Sequence, residues 1–422
     1  MSYVTKIPIR MTINKLLFAF FFLSLPYISF GQWDPEQRCV VDINGNCTPN
    51  PVNTALPFLS IIPDARGGAL GDAGIATSPD ASSIFYNPSK LAFVENDAEV
   101  TATYTPWLQN LGLTDVYVAY ISGYKKIDDV SAFGFNFGFF SLGQISFTDI
   151  NGNGTGTGMP REFTVGVSYG RKLSENFSVG IGGKFFLSNL ANGQSVNGLP
   201  ITSATGFAAD ISATYNSNPD LGDSYGNNFS AAFAISNLGS RITYTNNPNG
   251  EREAIPTNFG VGFGYKINLD EYNSVTFVLD FNKLLVPTPI PNVEPFISDG
   301  TFDGDGNGIA DHREGSTFSN LLSSFTDAPG GFREELREWS TSLGVEYWYD
   351  NQFAVRAGYF REHELKGDRN FLTIGVGLKY NVFGFDISYL APTNIQRGPL
   401  DNTLRFSLTF DLGILGSEAN SF

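Results

Sequence analysis

From Ala98 onward the chain repeats one unit, a run rich in Phe, Tyr, Val, Ile, Gly and Ala followed by a polar break. The last run shows the pattern most plainly. In TLRFSLTF, Leu404, Phe406, Leu408 and Phe410 fall on one face, and Thr403, Arg405, Ser407 and Thr409 on the other. Successive side chains of a strand point to opposite sides, so one face suits lipid and the other a polar lumen. Runs of this kind predict strands near 98–104, 115–126, 130–147, 162–172, 177–188, 205–216 and 228–237. The second half continues with 258–269, 273–284, 340–349, 353–361, 370–380, 383–390 and 402–411. The total is fourteen, an even number, as a closed single-chain barrel with both ends on one side requires.

The connections sort by parity. Starting after the second strand, every other one is short or turn-like: KLSEN, LDEY, Asp350 to Gln352 and Asn381 to Val382, with a longer member at 217–227. Between them lie 105–114, 148–161, 189–204, 238–257, 285–339, 362–369 and 391–401. Outer-membrane barrels alternate periplasmic turns with longer outward loops, whereas a soluble sandwich has no reason to do so. The fold class expected is therefore all-β, a transmembrane antiparallel barrel of about fourteen strands spanning residues 98–422. Glycines inside the runs (GFNFGFF, GVGFGY, GVGLKY) would weaken a soluble strand. In a barrel they relieve crowding where a neighbouring backbone or a plug comes close.

Composition agrees with a wall facing two solvents. Aromatic residues make up 14% and charged residues only 16%, with 46 glycines. After the N-terminus no stretch approaches the ~20 apolar residues of a spanning helix. Residues 1–31 carry Lys6, Arg10 and Lys15, no acid, the apolar core Leu16 to Leu25, and small residues Ser29 and Gly31 before Gln32. This is the layout of a secretory signal peptide, too short and too broken by Pro26 for an anchor. Its removal deepens a net charge already at −16, which argues against nucleic acid as a partner. Cys39 and Cys47, the only cysteines, are expected to close a small disulfide loop in an oxidising compartment. Residues 32–97 are read as an N-terminal periplasmic extension and hatch, whose small residues at Ala65, Gly68, Ala69, Gly71, Ala73 and Gly74 allow close packing on a wall.

One candidate metal site stands out. Asp303, Asp305, Asn307, Ile309, Asp311 and Glu314 fall at positions 1, 3, 5, 7, 9 and 12 of an EF-hand loop, with Gly308 at the sixth. That spacing supplies the oxygen ligands Ca²⁺ prefers and a glycine where the loop turns sharply. FREELREW, from Phe332 to Trp339, has the spacing of a short amphipathic helix, and VPTPIPNVEP from Val286 is expected to be extended and stiff. Catalytic patterns are absent. His363 in REHEL has Gly367 where a zinc helix needs its second histidine, and no GxSxG occurs.

The segment LPFLSIIPDARGGALGDAGIATSPD, followed by YNPSK, resembles the hatch of FadL-like outer-membrane proteins. Within that group the chain resembles the PorV family, barrels of the type IX secretion system. The similarity runs through TYTPWL, VYVAYISGYKK, FSLGQISFTDI, EFTVGVSYGRKLSENFSVGIGGKF and GFAADISATY, and fades through 285–339. The resemblance implies a non-catalytic outer-membrane shuttle. Its implied partners are a giant translocon barrel, cargo bearing C-terminal secretion domains, a sortase-containing surface attachment complex and the outer-membrane lipid. The alternative is a FadL-like channel for hydrophobic small molecules.

Overall fold

The computed structural model describes residues 33–34, 39–40, 49–108, 112–148, 151–191, 193–196, 199–218, 226–245, 252–289, 313, 316–393 and 403–413. Fourteen strands close into one antiparallel barrel. In chain order they are β1 (Ala98–Pro106), β2 (Val116–Asp128), β3 (Ser131–Leu142), β4 (Arg161–Lys172), β5 (Phe177–Asn189), β6 (Ala204–Asn216) and β7 (Gly226–Gly239). β8 (Asn258–Asn268), β9 (Asn273–Leu284), β10 (Ser340–Tyr349), β11 (Phe353–Arg361), β12 (Asn370–Tyr380), β13 (Phe383–Pro392) and β14 (Leu404–Asp411) complete the wall. Each strand pairs with its sequence neighbour, and the seam is made by β14 on β1, with Ser407 opposite Thr103 and Phe410 opposite Val100.

Alternation decides which face is which. On β14, Arg405 and Ser407 are buried toward the lumen while Leu404 and Leu408 are exposed on the outside. Phe133, Phe135 and Phe137 of β3 are exposed in the same way, and Asn136 between them is buried. The outer surface is thus apolar and the lumen polar, the reverse of a water-soluble barrel. No helix among the described residues is long and apolar enough to cross a membrane; the strands are the spanning elements.

The run at 130–147 does not stay in the wall. Gly143 takes a positive φ of 76° and ends β3 at Leu142. Residues Ile145–Thr148 leave the barrel and pair with Gly154–Gly158 as a hairpin within the following loop. Period-two alternation continues through Gly143, so the sequence pattern carries no sign of this exit.

The hatch lies inside the lumen. It comprises a 3₁₀ turn at Pro57–Ser60, helix α1 (Ala65–Ala69), helix α2 (Ser83–Tyr86) and a second 3₁₀ segment at Pro88–Phe93. Asp64 caps α1 by accepting from Gly67 N at 2.7 Å, and Asn87 caps the second 3₁₀ segment, with proline at its first position. Residues 49–62 sit at the end of the barrel where the longer loops gather. Ala55 N donates to Ala254 O in the β7–β8 loop, and Asn50 N to Leu365 O in the β11–β12 loop. Leu56, Phe58 and Leu59 join Val116, Phe140, Phe186, Ile242 and Ile255 in the main apolar cluster at that end. The physical reason is the apolar run at 56–62, which finds its apolar partners at the loop end. Ser89, by contrast, lies near the turn end, where Ser178 Oγ donates to its carbonyl at 2.8 Å. The hatch therefore runs the length of the lumen.

Two more helices belong to the β9–β10 loop, α3 (Thr317–Ser323) and α4 (Phe332–Arg337).

Candidate functional site

The hatch is bonded to the wall around most of its circumference. Ala65 N donates to Ser407 Oγ on β14 at 2.9 Å, and Gly71 N to Thr373 Oγ1 on β12 at 2.9 Å. Gly74 N and Ile75 N both donate to Asp280 Oδ2 on β9, at 2.7 and 2.9 Å. Ser230 on β7 donates to Ala76 O, Asn87 Nδ2 to Thr214 on β6, and Ala81 N to Glu99 on β1. A chain of charges adds to this. Arg66 donates to both oxygens of Glu346 on β10, at 2.9 and 2.8 Å, and to Asp80 at 2.8 Å. Glu346 also accepts from Arg356 on β11 at 2.7 Å, and Arg356 reaches Asp386 on β13 at 2.6 Å. Burial alone would lower the Arg66 guanidinium, but Glu346 and Asp80 hold it well above its ordinary value. The charge on Arg66 is thus fixed, as a half-buried, fully bonded guanidinium requires.

Close backbone approach explains the wall glycines. A Cβ on Gly358 would stand 2.0 Å from Gly71 N, so the hatch backbone lies directly on β11 there. Gly260, Gly262 and Gly264 of the GVGFGY run face Ile75 and Ala76 in the same way.

Between hatch and wall remains a chamber of about 490 Å³. Its lining is mixed, with Asp280, Asn237, Asn258, Asn282, Lys184 and Arg369 among the polar side chains and Phe85 and Phe360 among the aromatic ones. Pockets for apolar ligands are lined predominantly by hydrophobic side chains with few polar groups; here charged and amide side chains share the lining with the apolar ones.

At the mouth, the β9–β10 loop is clamped by buried charges. Lys283 Nζ donates to Glu335 at 3.0 Å and also to Glu338. Lys366 Nζ reaches Glu334 at 2.6 Å and Glu338 at 2.9 Å, and Asn50 Nδ2 donates to Glu334 at 2.5 Å. One cluster thus ties the longest loop, the β11–β12 loop and the start of the hatch. Asp327, Glu335 and Glu338 bring carboxylate oxygens within 4.8 Å of one another, but Lys283 already bonds two of the three. Burial, then the Glu335 and Glu338 carboxylates, push the Asp327 carboxyl up to about 7.

Asp303, Asp305, Asn307, Ile309, Asp311 and Glu314 lie outside the described residues, as does Cys47. Cys39 stands in a two-residue strand, Cys39–Val40, paired with Trp33–Asp34. The export segment 1–31 is also outside them. His363 sits in a turn, its Nδ1 accepting from Leu365 N at 3.2 Å, and burial and Arg337 hold it below its ordinary value. The hatch lock and the mouth clamp join residues too far apart in the chain for the sequence pattern to pair them. The one available signal was the presence of Glu346, Arg356 and Asp280 at lumen-facing positions of otherwise apolar runs.

A closed wall, apolar outside and polar inside, with an N-terminal hatch bonded across its lumen, defines an outer-membrane β-barrel of the plugged class. The chain belongs to the PorV family, whose model, described as type IX secretion system protein PorV, matches residues 45–291. No curated protein matches the chain. Among solved structures it is similar to the toluene transporter TbuX of Ralstonia pickettii, at 12% identity and a TM-score of 0.45, covering 82% of this chain and 97% of that one. It is also similar to a FadL homologue of Pseudomonas aeruginosa, at 12% identity and a TM-score of 0.42, covering 86% and 100%. The toluene transporter TodX of Pseudomonas putida gives 12% and 0.43, covering 81% and 95%.

Proposed function

We propose that this barrel is a non-catalytic outer-membrane component of the type IX secretion system. In this reading it binds cargo with C-terminal secretion domains at the translocon barrel and carries it to the sortase-containing attachment complex. Family membership supports the system. The observation that supports an adaptor over a conduit is the hatch, hydrogen-bonded to β1, β6, β7, β9, β12 and β14 and ion-paired to β10. A lumen so occupied leaves the loops and the outer wall as the working surfaces. The alternative, a channel for hydrophobic small molecules, would have to pass the charged and amide side chains that share the lining of the remaining chamber.

Deleting the gene and counting secreted proteins that bear C-terminal secretion domains tests the reading. Loss of those proteins is expected, together with co-purification of the intact barrel with a very large barrel or with cargo. Normal secretion with lost uptake of a hydrophobic nutrient would reverse the order of the two readings. Ca²⁺ held by the 303–314 loop is part of the proposal, as a means of stiffening the longest outward loop.

A further inference from the structure

The described part of the longest loop is inside out by the standard of a soluble protein. Helix α4 buries Glu334 and Glu335, exposed 2% and 5%, and leaves Phe332 and Leu336 exposed at 69% and 55%. Helix α3 turns the polar Asn320 toward the barrel mouth, beside Gly239 and Leu285, while Thr317 Oγ1 bonds Gly239 O at 2.9 Å. On its other side Phe318 and Leu322 are exposed at 76% and 80%. These two and Phe325 are spaced four and three residues apart, so they form one stripe.

The direction of that stripe is set by the wall. Asn258 bonds Asn282 in the lumen, and Gly260 faces Ile75 of the hatch. Phe259 between them must therefore point outward, to the lipid side of β8. Phe325 packs edge-on against Phe259 with ring centroids 5.9 Å apart, and Trp339 does the same at 6.0 Å. Below them the outer face continues with Phe263, Phe277 and Leu343, all exposed. The stripe is thus continuous with the lipid-facing wall at the rim of β8, β9 and β10, where aromatic residues commonly mark the membrane interface.

The geometry points to residues 316–339 as a membrane-interface anchor, with Phe318, Leu322, Phe325, Phe332 and Leu336 seated in the apolar part of the outer leaflet. The buried charge cluster is what makes such a fold-back stable. Lys283 and Lys366 neutralise the acids of α4 on the barrel side, so the side that meets lipid carries the apolar residues. In this arrangement the second part of the loop is pinned to one sector of the wall.

The test uses the full chain reconstituted in phosphatidylcholine vesicles, with Cys39→Ser and Cys47→Ser and an environment-sensitive fluorophore on Leu322→Cys. Ile374→Cys, on the outer wall, is the lipid benchmark, and Thr155→Cys, in the exposed hairpin, is the aqueous one. Spin-labelled phosphatidylcholine should quench the Leu322 label as strongly as the Ile374 label, with emission shifted to the blue and iodide nearly without effect. Iodide quenching equal to that at Thr155, with no quenching by the lipid, would overturn the assignment. Protection from both quenchers would also overturn it, in favour of cover by protein. Phe318→Cys repeats the measurement from the same stripe should Leu322→Cys fail to assemble.

Discussion

At the residue scale the barrel is held by fits that tolerate little change. Gly358 is the sharpest of them, because the hatch backbone at Gly71 occupies the space a methyl group would need. Gly358→Ala is expected to destabilise by at least the ~1–3 kcal/mol of an overpacked core. Gly183→Ala on β5, where a Cβ meets nothing within 4 Å, should be neutral. Urea unfolding of the two variants in vesicles compares them directly, and equal midpoints would refute close packing at Gly358. Glu346 is the second such point, since it accepts from Arg66 and Arg356 together. Glu346→Ala takes one carboxylate partner from each guanidinium and leaves Asp80 and Asp386 in place, a loss of about 1.5–3 kcal/mol, which the same unfolding assay reads. Both fits join residues far apart in the chain, Arg66 and Glu346 among them. Neither could be read from sequence, where a lumen-facing glutamate looks the same whether water or a hatch arginine meets it.

At the element scale the wall was almost fully legible and the loops were not. Strands such as 353–361, 370–380 and 273–284 match their expected bounds, because lipid on one side and polar lumen on the other impose strict alternation. The exception, 130–147, broke at a glycine the alternation passes through. The FREELREW helix exists as α4, but its sides are reversed, because buried lysines supplied by β9 and the β11–β12 loop outweigh the usual preference for apolar burial. Its neighbour Asp327 gives the clamp a pH dependence. An acid raised from 3.8 to about 7 in the folded loop holds its proton more tightly there. Its contribution to stability is fully present below 3.8 and is lost as pH rises through 7. Amide exchange across residues 327–338 should therefore quicken as pH climbs through that window, after correction for intrinsic exchange. Asp327→Asn should remove the dependence. For the 303–314 loop the expected outcome is calorimetric Ca²⁺ binding by the purified barrel, with Kd on the order of 10⁻⁴–10⁻³ M as in extracellular modules. Asp303→Ala with Glu314→Ala should abolish it, and a silent titration of the parent chain would remove calcium from the account.

At the scale of the whole molecule the hatch and wall behave as one body. Replacing residues 64–94 by a flexible Gly-Ser linker is expected to turn a poorly conducting barrel into an open one. Single-channel recording in planar bilayers measures this, and equal conductance with and without the hatch would mean that the lumen is already open. The hatch also bears on the order in which the molecule can be built. It is bonded at the loop end through Asn50 and Ala55, and it leaves the lumen at the other end to enter β1 at Ala98. A finished ring of fourteen strands would have to be threaded along its whole axis by this segment, against side chains already bonded to one another. The simpler course is that the seam between β14 and β1 shuts last, around a hatch already in place. The machinery that inserts the barrel then receives a sheet wrapped on its own template, and damage to the hatch should surface first as chains arrested before seam closure.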